Sequence, residues 1–226
     1  MLKIQDHRIR VAASRREEMQ NTLMFSALVL ASDKSIHEID VEDIIHHADV
    51  SRGSFYKYFP SVQMLVQALA SQLSSELTAV IDAITQQIPD TAVRLVVTTK
   101  LTMRLLVKTP VLGNFLIQLP WPSQSPELNL FKNISSDVGL GIKEELFSKM
   151  PLSIGCNLLL GSMLGGIHAM LGKAPSTSYE NKVIYPALIG LGLDSKSADD
   201  LLKMPMPALP GLPATGLLGK IAASAL

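Results

Sequence analysis

The chain has 226 residues, enough for one large or two small domains, and its 20 lysines and arginines balance 20 aspartates and glutamates. With a formal net charge of +0, no whole-molecule field draws it onto nucleic acid or an anionic membrane. The single cysteine, Cys156, excludes an internal disulfide and fits a reducing compartment; set in an apolar run, it reads as a buried, inert thiol ahead of a redox sensor.

The N-terminus, MLKIQDHRIR, lacks the apolar core of a signal peptide. No uninterrupted apolar run reaches the roughly 18 residues of a membrane span. A soluble, cytoplasmic protein with no membrane partner is expected. Residues 1–14 read as a mobile basic arm. The first 16 residues hold Lys3, Arg8, Arg10, Arg15 and Arg16 against Asp6 alone. A helix follows over 15–33, where Met19, Leu23, Ala27 and Leu30 recur at helical spacing. Residues 40–65 then form two short helices around a tight turn, with a third helix close behind. Val41, Ile44, Ile45 and Ala48 make one apolar stripe, capped by Asp40. Asp49 and Val50 form the turn, and Ser51 caps the next helix, which sends Phe55 and Phe59 inward. Arg52, Gly53, Ser54, Tyr56, Lys57 and Tyr58 are left facing out. Small residues let a backbone approach DNA, while Arg and Lys reach guanine edges or phosphates and hydroxyls bond phosphate oxygens. The unit reads as a helix-turn-helix.

The run ADVSRGSFYKYFPS resembles the recognition segment of the tetracycline-repressor (TetR) family of bacterial regulators, A-G-V-S-x-G-[ST]-[FL]-Y-x-[YH]-F-x-[ST]-K. Ala48, Val50, Ser51, Gly53, Ser54, Phe55, Tyr56, Tyr58, Phe59 and Ser61 fall in register. The resemblance covers the first third of the chain. Asp49 stands where the family usually has Gly, Val62 where it has Lys, and Asp40 where it has Thr; Ala31 and Ser35 replace the usual Phe and Gly. The resemblance implies an all-α protein, with a three-helix DNA-binding domain followed by a larger helical domain for ligand binding and dimerisation.

Beyond the turn, 61–88 reads as a long connecting helix with Leu65, Leu69, Leu73, Leu77, Val80, Ile81 and Ile84 inward, closed by Pro89. Helices are expected at 91–108, 111–119, 127–149 and 151–171. After a turn at 172–175 comes a helix at 178–193, kinked or broken at Pro186. A short helix is expected at 197–203. The expected organisation is therefore 1–60 for arm and DNA-binding domain, 61–88 for the connector, 89–196 for the body and 197–226 for a tail. Residues 204–226 are apolar, with Pro205, Pro207, Pro210 and Pro213 and only Lys220 charged. Such a segment should lie along the body or cross to a partner subunit, ahead of any membrane-surface role.

For the DNA interface the expected residues are Asp40, Ser51, Arg52, Gly53, Ser54, Tyr56, Lys57 and Tyr58. Arg52 and Ser54 are placed near base edges and the tyrosines on phosphate. The resemblance puts a ligand pocket inside the body, and Met103, Leu106, Phe115, Trp121, Phe131, Met163 and His168 are the candidates to line it. Any one of these reads first as plain core, while a pocket somewhere among them is expected; Trp121 reads as a lid or a loop anchor. Their apolar character favours an apolar or aromatic ligand. Gly161 and Gly165, four apart, with Leu158, Tyr185 and Leu188, are the candidates for a homodimer interface. His46 and His47 are adjacent, so they point about 100° apart on a helix, and no metal or other cofactor is expected. The sequence carries no G-x-S-x-G, Walker A or H-E-x-x-H motif, so no enzyme is expected. The reading is a homodimeric regulator, a repressor, that binds palindromic double-stranded operator DNA and is released by a small apolar effector. The rival is a helical dimer or sequestering protein with a vestigial head.

Overall fold

The computed structural model describes residues 2–121, 129–171 and 177–224; side chains of 2–10, 12, 129–131, 177 and 178 are outside the description. Eleven α-helices and no strand are found among the described residues. The first, α1, is Leu2–Asp33. It corrects the expectation of a mobile arm before residue 15. From Leu2 to Asp33 the sequence has no Gly and no Pro, so nothing breaks the helix once the later turns are packed.

A short 3₁₀ turn, Ile36–Glu38, leads to α2 (Val41–Ala48), α3 (Arg52–Tyr58) and α4 (Val62–Thr85). Each start is capped as its sequence predicts. Asp40 accepts the Asp43 N–H at 2.9 Å, and Asp43 returns the favour to the Asp40 N–H at 2.9 Å, a complete capping box. Ser51 accepts from Ser54 N–H at 3.1 Å and Ser61 from Met64 N–H at 3.2 Å. A cap of this kind is worth about 1 kcal/mol. Asp49 ends α2 in the left-handed region, at φ 51°, which explains why a glycine would suit this position and why Asp tolerates it. Leu23, Leu28, Ile44, Phe55, Phe59 and Leu65 fuse these helices into one buried cluster. The three helices α1–α3 form the head.

The body is built around α5 (Thr91–Lys108), which is buried on nearly every side from Leu95 to Val107. Around it lie α6 (Pro110–Ile117), α7 (Asn129–Lys143), α8 (Leu152–Met170), α9 (Thr177–Gly190) and α10 (Ser195–Lys203). α8 and α9 pack along each other. Gly166 makes this possible, because a Cβ there would sit 2.6 Å from Val183 Cγ1 and 2.9 Å from Met103 Cε. One expectation changes: the helix expected to reach residue 149 stops at Lys143. Of the two alternatives at Pro186, a kink or a break, the continuity of α9 excludes the break. The expected turn at 172–175 lies outside the described residues. α4 and α8 have the length and mean hydropathy of a membrane span, although polar residues interrupt the apolar run in each, Gln67 and Glu76 in α4 and Asn157 and His168 in α8. Each helix lays a buried stripe into this bundle, Leu65 to Ile81 in one and Cys156 to Met170 in the other.

The tail folds back onto its own chain. Along 205–213, Pro205, Ala208 and Gly211 are exposed while the two residues after each are half-buried, the period of three that a polyproline II helix produces. Then α11 (Gly216–Ser224) packs against α4 and α1, with Leu217, Leu218 and Ile221 buried.

Candidate DNA-binding face and effector body

On α3 the residues divide as the sequence predicts. Phe55 is fully buried and Phe59 nearly so. Ser51, Arg52, Gly53, Tyr56 and Lys57 are exposed on the other side, with Ser54 and Tyr58 half-buried. Tyr56 stands edge-on to Phe55, ring centroids 5.4 Å apart, so its ring is braced while its hydroxyl faces out. Arg52 stacks 5.8 Å over the Tyr56 ring and pairs with Glu42 of α2. Tyr58 is covered by Arg16 of α1 at 5.8 Å and by Lys57 at 5.7 Å. A Cβ at Gly53 would meet nothing nearer than Ser51 Oγ at 3.9 Å. The fold therefore has no need of glycine at that position. Asp40 differs from expectation. Its carboxylate is committed to the capping box, and it would repel phosphate rather than bind it. Asp43, which receives the Asp40 backbone N–H and the Lys34 ammonium, is held below the usual carboxylate range.

Head and body meet at a side chain that sequence reasoning did not single out. Gln118, just past α6, accepts the Ile36 N–H at 2.8 Å and donates to the Ala31 carbonyl at 2.8 Å. One amide thus grips the end of α1 and the 3₁₀ turn that leads into the helix-turn-helix. The only advance signal was a glutamine in an otherwise apolar run, FLIQL.

Within the body, Met103, Leu106, Phe115 and Met163 converge in the buried core. Trp121 and His168 do not join them. Trp121 is 40% exposed, its indole N–H donating to Asn157 Oδ1 at 3.1 Å, and His168 is exposed on α8. The reason is helical phase: Met163, Ile167 and Met170 face in, so Gly161, Gly165 and His168 face out. The Phe131 side chain lies outside the described residues. The core also holds charge. Lys100, 1% exposed, donates to the Leu202 carbonyl at 2.8 Å and lies 3.8 Å from Glu180, which Arg104 grips with two bonds of 2.7 and 2.9 Å. Burial pulls the Lys100 ammonium below its ordinary value against the pull of Glu180. Asp137, paired with Arg94 at 2.9 Å, is pushed up by burial. Among the described residues no three His, Cys, Asp or Glu side chains come together to hold a metal.

The candidate interface residues split in the same way. Gly165 is exposed and has open space around it, and Gly161 and Leu158 are half-buried beside it. With Ile154, 50% exposed, they form one outward stripe of α8. Tyr185 and Leu188 do not extend that face. Leu188 is buried inside the subunit, and Tyr185 lines a cleft of about 310 Å³ between α9 and α10 with Asn181, Lys182 and Asp199. Among the described residues of α9, Tyr179, Lys182, Pro186, Ile189 and Gly190 are exposed.

Residues 24–69 match the family model described as bacterial regulatory proteins, tetR family. The helix-turn-helix head therefore has the form of the tetR-family regulatory domain over residues 24–69. Solved structures share the fold along most of the chain. RolR in complex with resorcinol superposes at a TM-score of 0.67 with 22% identity, covering 87% of this chain and 99% of the other. A tetR-family regulator from Shewanella sp. PV-4 gives 0.68 with 13% identity, over 78% and 99%. FadR from Bacillus subtilis in complex with stearoyl-CoA gives 0.56 with 16% identity, over 80% and 96%. No curated protein matches the chain significantly.

Proposed function

We propose that this chain is a cytoplasmic, homodimeric repressor that binds palindromic operator DNA and is released by a small, largely apolar or aromatic effector. The observation that carries the reading is the free face of α3. Arg52, Gly53, Tyr56 and Lys57 stand exposed on a helix whose other side is anchored by Phe55. One such helix reads few base pairs, so affinity and specificity call for two heads on a two-fold axis, about 34 Å apart. The outward stripe of Ile154, Leu158, Gly161 and Gly165, beside Tyr179 and Ile189, supplies an apolar surface with small residues at its centre for that pairing. The buried cluster of Met103, Leu106, Phe115 and Met163 is the place for the effector, close to the Gln118 contact with the head. The range of small molecules bound by structures of this fold, resorcinol in RolR and stearoyl-CoA in FadR, favours an apolar or aromatic compound. Such a compound releases DNA only if it binds the DNA-free arrangement more tightly than the DNA-bound one.

Selection of bound sequences from random duplex DNA tests this. The expected result is an enriched palindrome whose affinity falls steeply with salt. Replacing Arg52 and Lys57 together with Ala should weaken binding and reduce the salt slope by about 2. No enriched sequence, or an unchanged slope, would return the head to a vestigial role.

A further inference from the structure

The tail makes a connection that neither the DNA face nor the effector core requires. Glu76, halfway along α4, accepts the second and third N–H groups of α11: Leu217 N–H at 3.1 Å on Oε1 and Leu218 N–H at 2.9 Å on Oε2. These are donors that a helix leaves without intrahelical partners, and a carboxylate is the group best suited to them. Gln72, one turn earlier on α4, donates to Glu76 Oε1 at 2.8 Å and to Asn21 Oδ1 of α1 at 3.1 Å. A continuous polar chain therefore runs from α1 of the head through α4 to α11. It is closed over by Leu217, Leu218 and Ile221, which are almost fully buried.

Two glycines make the fit possible. Gly216 has φ +73°, and a Cβ there would lie 2.5 Å from Glu76 Oε1. A Cβ at Gly219 would lie 2.5 Å from the Ala214 carbonyl carbon, so only glycine lets the incoming chain cross so close to α11. At its other end the strap begins at α10, whose Leu202 carbonyl is held by buried Lys100. Residues 204–213 would span about 30 Å as a polyproline II segment at ~3.1 Å per residue, with little conformational freedom left to lose on docking.

We infer that residues 204–224 are a strap, latched by Glu76, that fixes α1 of the head against the connecting helix and so sets the head's position relative to the body. Gln118 at the end of α1 and the strap at its middle then add to the direct packing of α1 on α4 and α6. The part of this inference that concerns DNA rests on the regulator reading. The mechanical part does not, and the experiment separates them.

Hydrogen exchange on the full-length chain, without DNA, compares wild type with Glu76→Ala, Glu76→Gln and a variant in which 205–213 is replaced by a Gly/Ser sequence of equal length. In Glu76→Ala, amides of 216–224 and of 17–28 in α1 should exchange at least ~10-fold faster. Amides of 155–167 in α8 should stay unchanged, and Glu76→Gln, which keeps one acceptor oxygen, should fall between. If 216–224 loosens while 17–28 keeps its wild-type protection, the strap is surface packing only and the inference is overturned. If Glu76→Ala loosens α8 as well, the Gly/Ser strap variant decides by the same comparison. Affinity for the duplex recovered by selection should fall in the loosened variants with an unchanged salt slope, because Glu76 touches no phosphate. Loosened α1 with undiminished DNA affinity would refute the control of DNA binding while leaving the mechanical latch standing.

Discussion

Arg52 is held in two ways before it meets DNA, by Glu42 and by the Tyr56 ring. The Tyr56 side chain positions the guanidinium, whereas the ion pair with Glu42 occupies donors that a base or phosphate would take. Glu42→Gln should therefore raise affinity for the selected duplex by up to about fivefold, the scale of an exposed ion pair, measured by titration at low salt. Tyr56→Ala should lower it. Lys100 gives a prediction of another kind. Its folded pKa is depressed, so its contribution to stability is smallest at low and neutral pH and grows as pH rises toward the unfolded value of 10.5. Lys100→Met removes that dependence. The difference in urea midpoint between Lys100→Met and wild type should shift in favour of wild type between pH 7 and pH 10. A constant difference would mean that the ammonium pays no burial cost.

The helices of the head were legible because each start carries its own cap and each inner face its own stripe: Asp40, Ser51 and Ser61 set the boundaries, and Ile44, Phe55 and Leu65 the interior. The body was legible only as a series of helices. Periodicity assigns a helix an inner face but does not say which neighbour covers it, so Tyr185 and Leu188 were assigned outward and His168 and Trp121 inward. Polar residues inside apolar runs were the unused signal. Gln118 interrupts such a run, Lys100 follows two valines and two threonines, and each makes a bond more than 80 positions along the chain. At Pro186 the helix continues, since a packed helix tolerates the loss of one N–H, and the alternative of a break falls away. The two glycine sites of α8 give a paired prediction. Gly166→Ala forces a methyl against Val183 and Met103 and should cost about 1–3 kcal/mol in urea unfolding. Gly165→Ala, in open space, should leave subunit folding unchanged or slightly improved.

For the whole molecule, the same open space at Gly165 becomes a test of assembly. A Cβ at Gly165 has open space around it within its own chain, so an effect of Gly165→Leu on mass in solution, with folding retained, would come from a second copy. Light scattering should report a dimer for the native chain and a shift toward monomer for Gly165→Leu, with helical content retained. A native monomer would remove the two-headed reading. The strap has a consequence at this scale too. With three residues per turn, Met206, Leu209 and Leu212 share one side only while their register holds. Removing one residue from 205–213 would turn everything after it by about 120° and present Pro or Gly where Leu belongs. Removing three would keep the register and shorten the reach by ~9 Å. Length variation in this segment should accordingly be tolerated in multiples of three or not at all, a rule that a deletion series read out by α11 protection would reveal.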